Sequence, residues 1–233
     1  MATIAENLLR IQSAKTDIKE AIEAKGVTIP SSATIDTYAD YVASIPSGGG
    51  GDITTIQKLI DRSITSIDIP SGITTIGSHA FNYCNHLSSV TIPSSVMHIN
   101  SYAFANCTSL SSITIPNSVI NISNNVFEFC SSITSIDIPS GVTYIGSGAF
   151  QWCTSLTSIN IPSGVTSIGF YAFSNCSSLT SITINAVTPP TLSNTNAFNN
   201  TNNCPIYVPS ESVETYKSAT NWSTYASRIQ AIP

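Results

Sequence analysis

The side chains best suited to chemistry in this chain are three histidines and six cysteines. His79, His86 and His98 fall close together but lack a metal-binding spacing such as H-E-x-x-H, so we expect solvated surface residues and no metal or cofactor. Cys84 and a nearby histidine suggest a Cys–His nucleophile pair. A thiol buried among apolar side chains has a raised pKa and little reactivity, which argues against that role.

The acidic residues offer no better catalytic site. Acid–base catalysis needs two carboxylates that converge in a cleft. Asp68 and Asp137 hold the same position in a sequence repeat, but they lie three repeats apart, which is about 14 Å at ordinary strand spacing. Gly146 and Gly169 recur with the repeat, so we expect them in turns and not in a phosphate-binding loop. The sequence therefore predicts that the protein is not an enzyme.

These residues belong to a repeat with a period of 23 residues. An Ala-Phe pair, an Ile-Pro pair and one cysteine recur at this step, with Val126 replacing the alanine once. A fixed period of this length marks a solenoid, in which each coil buries its apolar face against the next. The repeated residues are Phe81, Phe104, Phe127, Phe150 and Phe173; Pro70, Pro93, Pro116, Pro139 and Pro162; and Cys84, Cys107, Cys130, Cys153 and Cys176.

Each coil is expected to contain one strand, a bend and a short helix. The alternation at Val90 and Ile92 predicts the strand, which Pro93 ends. The spacing Ala-Phe-x-x-Cys-x-x-Leu places four side chains on one side of a helical turn. The predicted fold is an α/β solenoid, a right-handed coil with one parallel β-ribbon, preceded by an N-terminal helical module.

The chain divides into four predicted segments: residues 1–45, an N-terminal helical module for attachment or oligomerisation; 46–51, a glycine-rich linker; 52–208, the solenoid; and 209–233, a C-terminal helical cap. In the first helix, Ile4, Ile11 and Ile18 are seven residues apart, which suits a short coiled coil and a homo-oligomer. Folding back of residues 35–44 as an intrachain hairpin is an equal alternative.

Charged residues make up only 9% of the chain, and no Lys or Arg lies between Arg62 and Lys217. Nucleic acids and anionic membranes are bound through cations, so neither is an expected partner. Residues 1–15 lack an apolar run of signal-peptide length, and no segment reaches the ~18 apolar residues of a transmembrane helix. We therefore expect cytoplasmic synthesis without membrane insertion.

The five repeated cysteines are expected to form a ladder of buried free thiols. They hold one position in successive coils, which is unlike the scattered cysteines of a disulfide framework. Neighbouring coils lie about 4.8 Å apart, a distance that also permits oxidation to disulfides. Oxidation and capture of a soft metal ion stay open as alternatives.

Large aromatic residues on a surface of Ser, Thr and Asn are the candidate binding residues. Aromatic side chains anchor recognition because they bring apolar area at low entropic cost, and they also stack on sugar rings. On a helical wheel the position before the cysteine lies at the border of the core, so sealing of the core edge is the alternative role. The candidates are Tyr83, Tyr102, Phe129, Trp152 and Tyr171.

The repeat resembles the BspA-type leucine-rich repeats, as in IPSGVTSIGFYAFSNCSSLTSI at residues 161–182. The resemblance covers residues 53–208. It implies a leucine-rich-repeat solenoid and a surface or secreted binding protein of bacteria or protists, of which some are adhesins.

The flanking segments resemble parts of predicted phage and prophage structural proteins of gut bacteria. They read IAENLLRIQSAKTDIKEAIEAKGVTIP near the start and IYVPSESVETYKSATNWSTYASRIQAI near the end. The favoured hypothesis is therefore a receptor-binding or adhesive rod of a phage tail or virion, joined to other subunits through residues 1–45. The alternatives are a bacterial cell-surface or secreted adhesin for a host protein or glycan, and a self-assembling structural spacer.

Overall fold

The computed structural model describes residues 62–233. The predicted N-terminal module, the glycine-rich linker and residues 52–61 lie outside the described residues. The described strands are β1 (Ser66–Asp68), β2 (Thr75–Ile76), β3 (Ser89–Thr91), β4 (His98–Ile99), β5 (Asn121–Ile122), β6 (Tyr144–Ile145), β7 (Ser158–Ile161), β8 (Ser167–Ile168), β9 (Ser181–Ile184), β10 (Thr191–Leu192), β11 (Ile206–Val208) and β12 (Ile229–Ala231). Every pairing among them is parallel.

The predicted solenoid with parallel strands is confirmed, and it carries two rows of strands where a single ribbon was expected. The first row consists of two sheets, β1–β3 and β7–β9–β11–β12, and the second row also consists of two, β2–β4 and β5–β6–β8–β10. In the first row β7 and β9 pair with Ile159 opposite Ile182. Both isoleucines are buried while the serines before them lie nearer the surface, which is the alternation of a sheet with one wet face.

A proline turn joins the two rows in each coil. The N–H of Val96 donates to the carbonyl of Pro93 (3.1 Å), and Val119 donates to Pro116 in the same way (3.0 Å). Proline suits this place because its fixed φ starts a turn and its missing N–H ends the strand. The second row follows at once, with strands of two residues whose second residue is buried.

The third side of each coil is a turn segment, and the predicted short helix is wrong. The N–H of Asn82 donates to the carbonyl of His79 in its own turn (3.1 Å), while the N–H of Phe81 donates to Ala103 in the next coil (2.8 Å). This alternation recurs along the solenoid. An α-helix would use every N–H within its own segment, so it would leave this side without bonds between coils.

A stack of phenylalanine rings runs through the core. The rings of Phe81, Phe104 and Phe127 stack with centroids 5.2 and 5.7 Å apart, and the series continues at 5.5, 5.2 and 5.4 Å. Their planes lie within 16° of parallel. The last ring, Phe198, meets Trp222 in a tilted contact at 5.6 Å. Stacked rings in register are what a repeat of fixed length requires, because each coil places its ring at the same point.

The C-terminal segment covers the open end of the stack. It contains a 3₁₀ turn (Ser210–Ser212), α1 (Val213–Ser218), a 3₁₀ helix (Trp222–Arg228) and β12. The indole of Trp222 donates to the carbonyl of Pro190 (2.7 Å), and the Tyr216 hydroxyl donates to Ala186 (2.7 Å). These buried aromatic residues thus close the core and satisfy carbonyls that have no further coil to pair with.

Candidate functional site

Two residues in each turn segment, four apart, hold a left-handed backbone conformation. Their φ values lie between 56° and 63° in the five regular coils. Stacking of the coils arranges them in two columns on the turn side of the solenoid. The first column contains His79, Tyr102, Asn125, Gly148 and Tyr171, and the second contains Tyr83, Asn106, Phe129, Trp152 and Asn175.

All five predicted binding residues lie in these two columns. Left-handed backbone suits Gly and Asn, whereas a bulky side chain there costs of order 1–3 kcal/mol. Asn106, Asn125 and Gly148 show that the coil accepts residues without this strain at the same places. The aromatic residues therefore occupy positions that a purely structural repeat would give to Asn or Gly.

Four of these aromatic residues are well exposed. The exposed fraction is 48% for Tyr83, 39% for Phe129, 40% for Trp152 and 42% for Tyr171, while Tyr102 is half-buried. The core beside them is closed by the fully buried stack of phenylalanines. More than half of the surface of each of these four residues is thus covered by the protein, and the rest of it faces solvent.

The structure brings some of the predicted residues together and separates others. The rings of Phe129 and Trp152 stack at 5.7 Å and 7°. Tyr102 stacks instead on His79 (4.8 Å, 5°), and the guanidinium of Arg62 lies 5.4 Å from the Tyr83 ring centroid.

Tyr171 has a different kind of neighbour, because its hydroxyl accepts a hydrogen bond from the Asn196 amide (3.3 Å). In the first column, the two positions between Tyr102 and Tyr171 are Asn125 and Gly148, which have no aromatic ring. The predicted residues therefore form separate clusters along one face.

Polar residues that the sequence argument missed lie between the clusters. Gly148 is buried, and a Cβ placed on it would lie 2.3 Å from the Asn125 side-chain nitrogen, so that amide covers the glycine. Glu128 hydrogen-bonds to Asn125, and burial raises the pKa of its carboxyl above the ordinary value. In the sequence, the glycine at position 148 of the first column was the signal that could have pointed to these polar residues. We call this place, with Asn125 and Gly148 between Tyr102 and Tyr171, the notch.

The repeated thiols lie inside the solenoid. Cys107, Cys130, Cys153 and Cys176 each donate from Sγ to the carbonyl of a phenylalanine in the preceding coil, at 3.1–3.2 Å. The cysteines of the described residues are buried and free. Burial raises the pKa of Cys107 and of Cys176 to about 12. Thiols with such pKa values carry almost no thiolate at neutral pH, which removes the basis for nucleophilic chemistry.

The histidines differ from the expectation at one position. His86 and His98 are exposed, but His79 is half-buried, in hydrogen-bond distance of the Asn82 amide (3.0 Å) and stacked on Tyr102. His79 is the first residue of the first column, and the Tyr102 ring of the next coil covers it. Within residues 62–233, no three His, Cys, Asp or Glu side chains are grouped so that they could hold a metal ion.

A shallow polar depression borders the first column. It has a volume of about 440 Å³ and is lined by Ser101, Asn121, Ser123, Asn124 and Tyr144. The side-chain oxygen of Asn124 accepts hydrogen bonds from the Ser147 N–H (2.8 Å) and the Tyr144 hydroxyl (3.4 Å). These groups are already paired with one another, so the depression is a structural feature of the second strand row.

Parallel strands, proline turns and ring stacks in register define a repeat solenoid of the leucine-rich-repeat class. The chain belongs to the BspA type leucine rich repeat family, whose model matches residues 59–153 and 143–230 in six copies. The resemblance noted in the sequence is therefore confirmed. No curated protein matches the chain.

Solved structures share this fold. A leucine-rich repeat protein of T. pallidum is 28% identical, with 62% of this chain and 68% of that chain aligned and a TM-score of 0.54. The pneumococcal vaccine antigen PcpA is 19% identical over 72% and 40% of the two chains, with a TM-score of 0.53. A leucine-rich repeat protein from Bacteroides ovatus ATCC 8483 is 26% identical over 61% and 47%, with a TM-score of 0.48.

The match thus spans about half of the Bacteroides ovatus protein and two fifths of PcpA. The descriptions of these solved structures name no phage or virion protein, so the predicted virion role and virion location gain no support from them. In the described part of the chain, no helix combines the length and the apolar character needed to cross a bilayer.

Proposed function

We propose that the solenoid is a non-catalytic recognition module of the kind found in a cell-surface or secreted adhesin, which holds a protein or glycan through its two left-handed columns. The observation that carries this proposal is the placement of large, exposed aromatic side chains on left-handed backbone. Leucine-rich repeat proteins are in general scaffolds for interactions between proteins and are not catalysts, which agrees with this role.

The exposed apolar area of these side chains supports a role in recognition. A ring at such a position costs backbone strain of order 1–3 kcal/mol, and stacking of Phe129 on Trp152 returns about 0.5–1.5 kcal/mol. Stacking by itself therefore does not fully offset the strain, and the part of each ring that is already buried adds to its stability. Phe129 and Trp152 are about two-fifths exposed in the free protein. A ligand that covers them would bury this remaining apolar area.

The chemistry of the surface supports a ligand that does not depend on charge. Between Arg62 and Lys217 the chain has no cation, and its acids there are few. The columns offer rings and side-chain amides, which bind through apolar contact and hydrogen bonds. A host surface protein or a glycan fits such a surface, and a nucleic acid does not.

The test uses the full-length chain on a printed panel of extracellular-matrix proteins and oligosaccharides. The double variant Phe129→Asn with Trp152→Asn removes both stacked rings and keeps a residue that tolerates left-handed backbone. We expect it to retain its fold by circular dichroism and to lose at least about tenfold in affinity. Ile120→Thr is the control. It removes an exposed apolar side chain outside the two columns and introduces the residue that holds the same repeat position in the next coil, Thr143.

Two outcomes would overturn the proposal. One is a folded wild-type chain that binds no member of the panel. The other is a double variant that binds its ligand as tightly as the wild type and the control do.

A further inference from the structure

The first column is interrupted where the notch lies. Equivalent rings on neighbouring coils are 4.8–5.7 Å apart, so three coil steps separate Tyr102 from Tyr171 by about 14–17 Å. His79 covers the side of Tyr102 that faces the N-terminal coils, and Asn196 bonds to Tyr171 from the next coil toward the C-terminus. The two tyrosines therefore bound a gap of two coils that contains no ring of the first column.

The polar side chains at this gap, which we call its floor, are two amides and one carboxyl. The Asn125 amide lies over Gly148, and the Gln151 side-chain oxygen is 3.2 Å from where a Cβ of Gly148 would be. Glu128 is half-buried beside them and bonded to Asn125. Side-chain amides both donate and accept, so the floor can pair with hydroxyl groups in either direction.

The second column carries aromatic rings on the same two coils as the gap. Phe129 and Trp152 belong to the same two coils as Asn125 and Gly148, and each lies four residues further along its coil. Their rings stack on each other and are exposed on the same two coils that carry the amides. In the first column a tyrosine thus lies at each end of the gap, and the two coils between them carry the stacked aromatic pair of the second column.

We infer that the notch binds an uncharged oligosaccharide; this inference rests on the proposed function and names the ligand class of that site. A sugar ring has an apolar face of C–H groups and a rim of hydroxyls. Aromatic walls match the face and an amide floor matches the rim. A peptide side chain that anchors a protein interface would instead need a dry, apolar pocket floor, which Asn125 and Gln151 do not provide.

The charge of this face selects against anionic glycans. The residues around the notch include the carboxyl of Glu128 and no Lys or Arg, since no cation occurs between Arg62 and Lys217. Recognition of a sulfate or a sialic acid carboxylate depends on cationic partners. The notch is therefore specific for neutral chains.

The test is a printed array of neutral oligosaccharides beside their sialylated and sulfated counterparts, probed with the full-length chain. The strongest neutral hit is then titrated by tryptophan fluorescence, since Trp152 is exposed while Trp222, the other tryptophan, is buried in the cap. We expect signal on neutral members and a change in Trp152 emission.

Two variants probe the notch itself. Gly148→Asn displaces the Asn125 amide and fills the gap, in a conformation that Asn125 and Asn175 already adopt. We expect it to weaken oligosaccharide binding at least about tenfold. Tyr171→Asn, which removes an exposed wall, gives a second measure if the first variant folds poorly. Ser158→Asn adds the same side chain on the first strand row beside Asn160 and is expected to bind as the wild type.

The outcomes separate this inference from the proposed function. Binding to matrix proteins alone, lost in the Phe129→Asn and Trp152→Asn double variant, sustains the recognition role and overturns the oligosaccharide notch. Signal confined to anionic glycans, or full affinity in folded Gly148→Asn and Tyr171→Asn proteins, overturns the notch as well. If the chain binds no member of the protein panel and no member of the oligosaccharide array, both the proposed function and the oligosaccharide notch are overturned.

Discussion

At the scale of single residues, side-chain type in the two columns is uncoupled from the fold. Asn106, Phe129 and Trp152 hold the same backbone conformation although their side chains differ greatly in size. The bonds between coils at this place are made by backbone groups, such as the N–H of Trp152 and the carbonyl of Ser174 (2.9 Å). We therefore expect substitution here to alter what the surface contacts while these backbone bonds are kept.

Glu128 gives a prediction about pH. Burial raises the pKa of its carboxyl, so the ionised form is less favourable in the folded protein than in the unfolded chain. This destabilisation is present at neutral pH and disappears as the pH falls below the carboxyl's ordinary pKa of 4.5, where both states are protonated. Glu128→Gln should therefore raise the free energy of unfolding at pH 7, and the gain should shrink as the pH is lowered.

The measurement is urea unfolding of both proteins across this pH range. Glu211→Gln, at an exposed carboxylate, controls for the loss of one negative charge. A Glu128→Gln gain that grows on acidification would contradict the assigned cause.

At the scale of elements, the turn segment, the thiol ladder and the phenylalanine stack form one unit. The carbonyl of Phe104 accepts both from the N–H of Cys107 (3.2 Å) in its own turn and from the thiol of Cys130 (3.1 Å) in the next coil. The thiol ladder therefore ties successive coils together by hydrogen bonds in the dry interior. Disulfides are not needed for that role.

The burial of the thiol ladder predicts that its cysteines react slowly. Burial raises the pKa of Cys107 and Cys176 to about 12, and Cys130 and Cys153 lie between them with their pKa values also raised. In the folded protein we expect these four thiols to react with an aromatic disulfide reagent only as fast as the protein unfolds. The double variant Cys84→Ser with Cys204→Ser isolates them for the assay. Rapid labelling of Cys130 in native buffer would contradict the prediction.

At the scale of the whole molecule, stability depends on closing the C-terminal end. The final coil has Thr201 where other coils have the ladder cysteine, and Cys204 where they have Leu or Ile. Arg228 bonds to both, donating to the Cys204 carbonyl (2.8 Å) and to the Thr201 hydroxyl (2.8 Å). These contacts replace the coil that would otherwise continue the stack.

Arg228→Met tests this closure. The variant keeps an apolar stem but removes the donors to two partly buried acceptors, which should lower the free energy of unfolding by about 2–4 kcal/mol. Lys217→Met is the matched control, because Lys217 pairs with the exposed Glu214 (2.9 Å) and should change stability by less than about 1 kcal/mol. Equal effects of the two variants in thermal unfolding would show that Arg228 does not secure the end.

A second prediction at this scale concerns salt. The solenoid has no cation between Arg62 and Lys217, so ligand binding through the columns should release few counterions. We expect the affinity for a neutral oligosaccharide to change by less than about twofold up to 0.5 M NaCl. A steep decline measured by fluorescence titration would indicate charged contacts outside the notch.

The repeat period predicted the solenoid and its buried columns because a fixed step forces equivalent side chains into register. The turn segment was harder, since the spacing of Phe104, Cys107 and Leu110 suits both a helical turn and consecutive three-residue turns. Backbone hydrogen bonds between coils favour the three-residue turns over the helical turn. The spacing of apolar residues does not show these bonds. Asn106 and Asn125 were the local signal, because Asn is enriched in left-handed backbone. The notch arises from side-chain packing around one glycine, which lies beyond any periodic pattern.

The alternation of backbone bonds in the turn segments has a consequence for how this gene can change. Each coil offers its neighbour the same donors on one side and the same acceptors on the other, as Phe104 to Val126 and Phe127 to Ala149 illustrate. Unequal recombination between two coils would therefore join compatible surfaces and lengthen or shorten the rod by whole units. Because each coil brings its own pair of left-handed positions, such exchange would reshuffle surface chemistry in discrete steps while the interior stays unchanged.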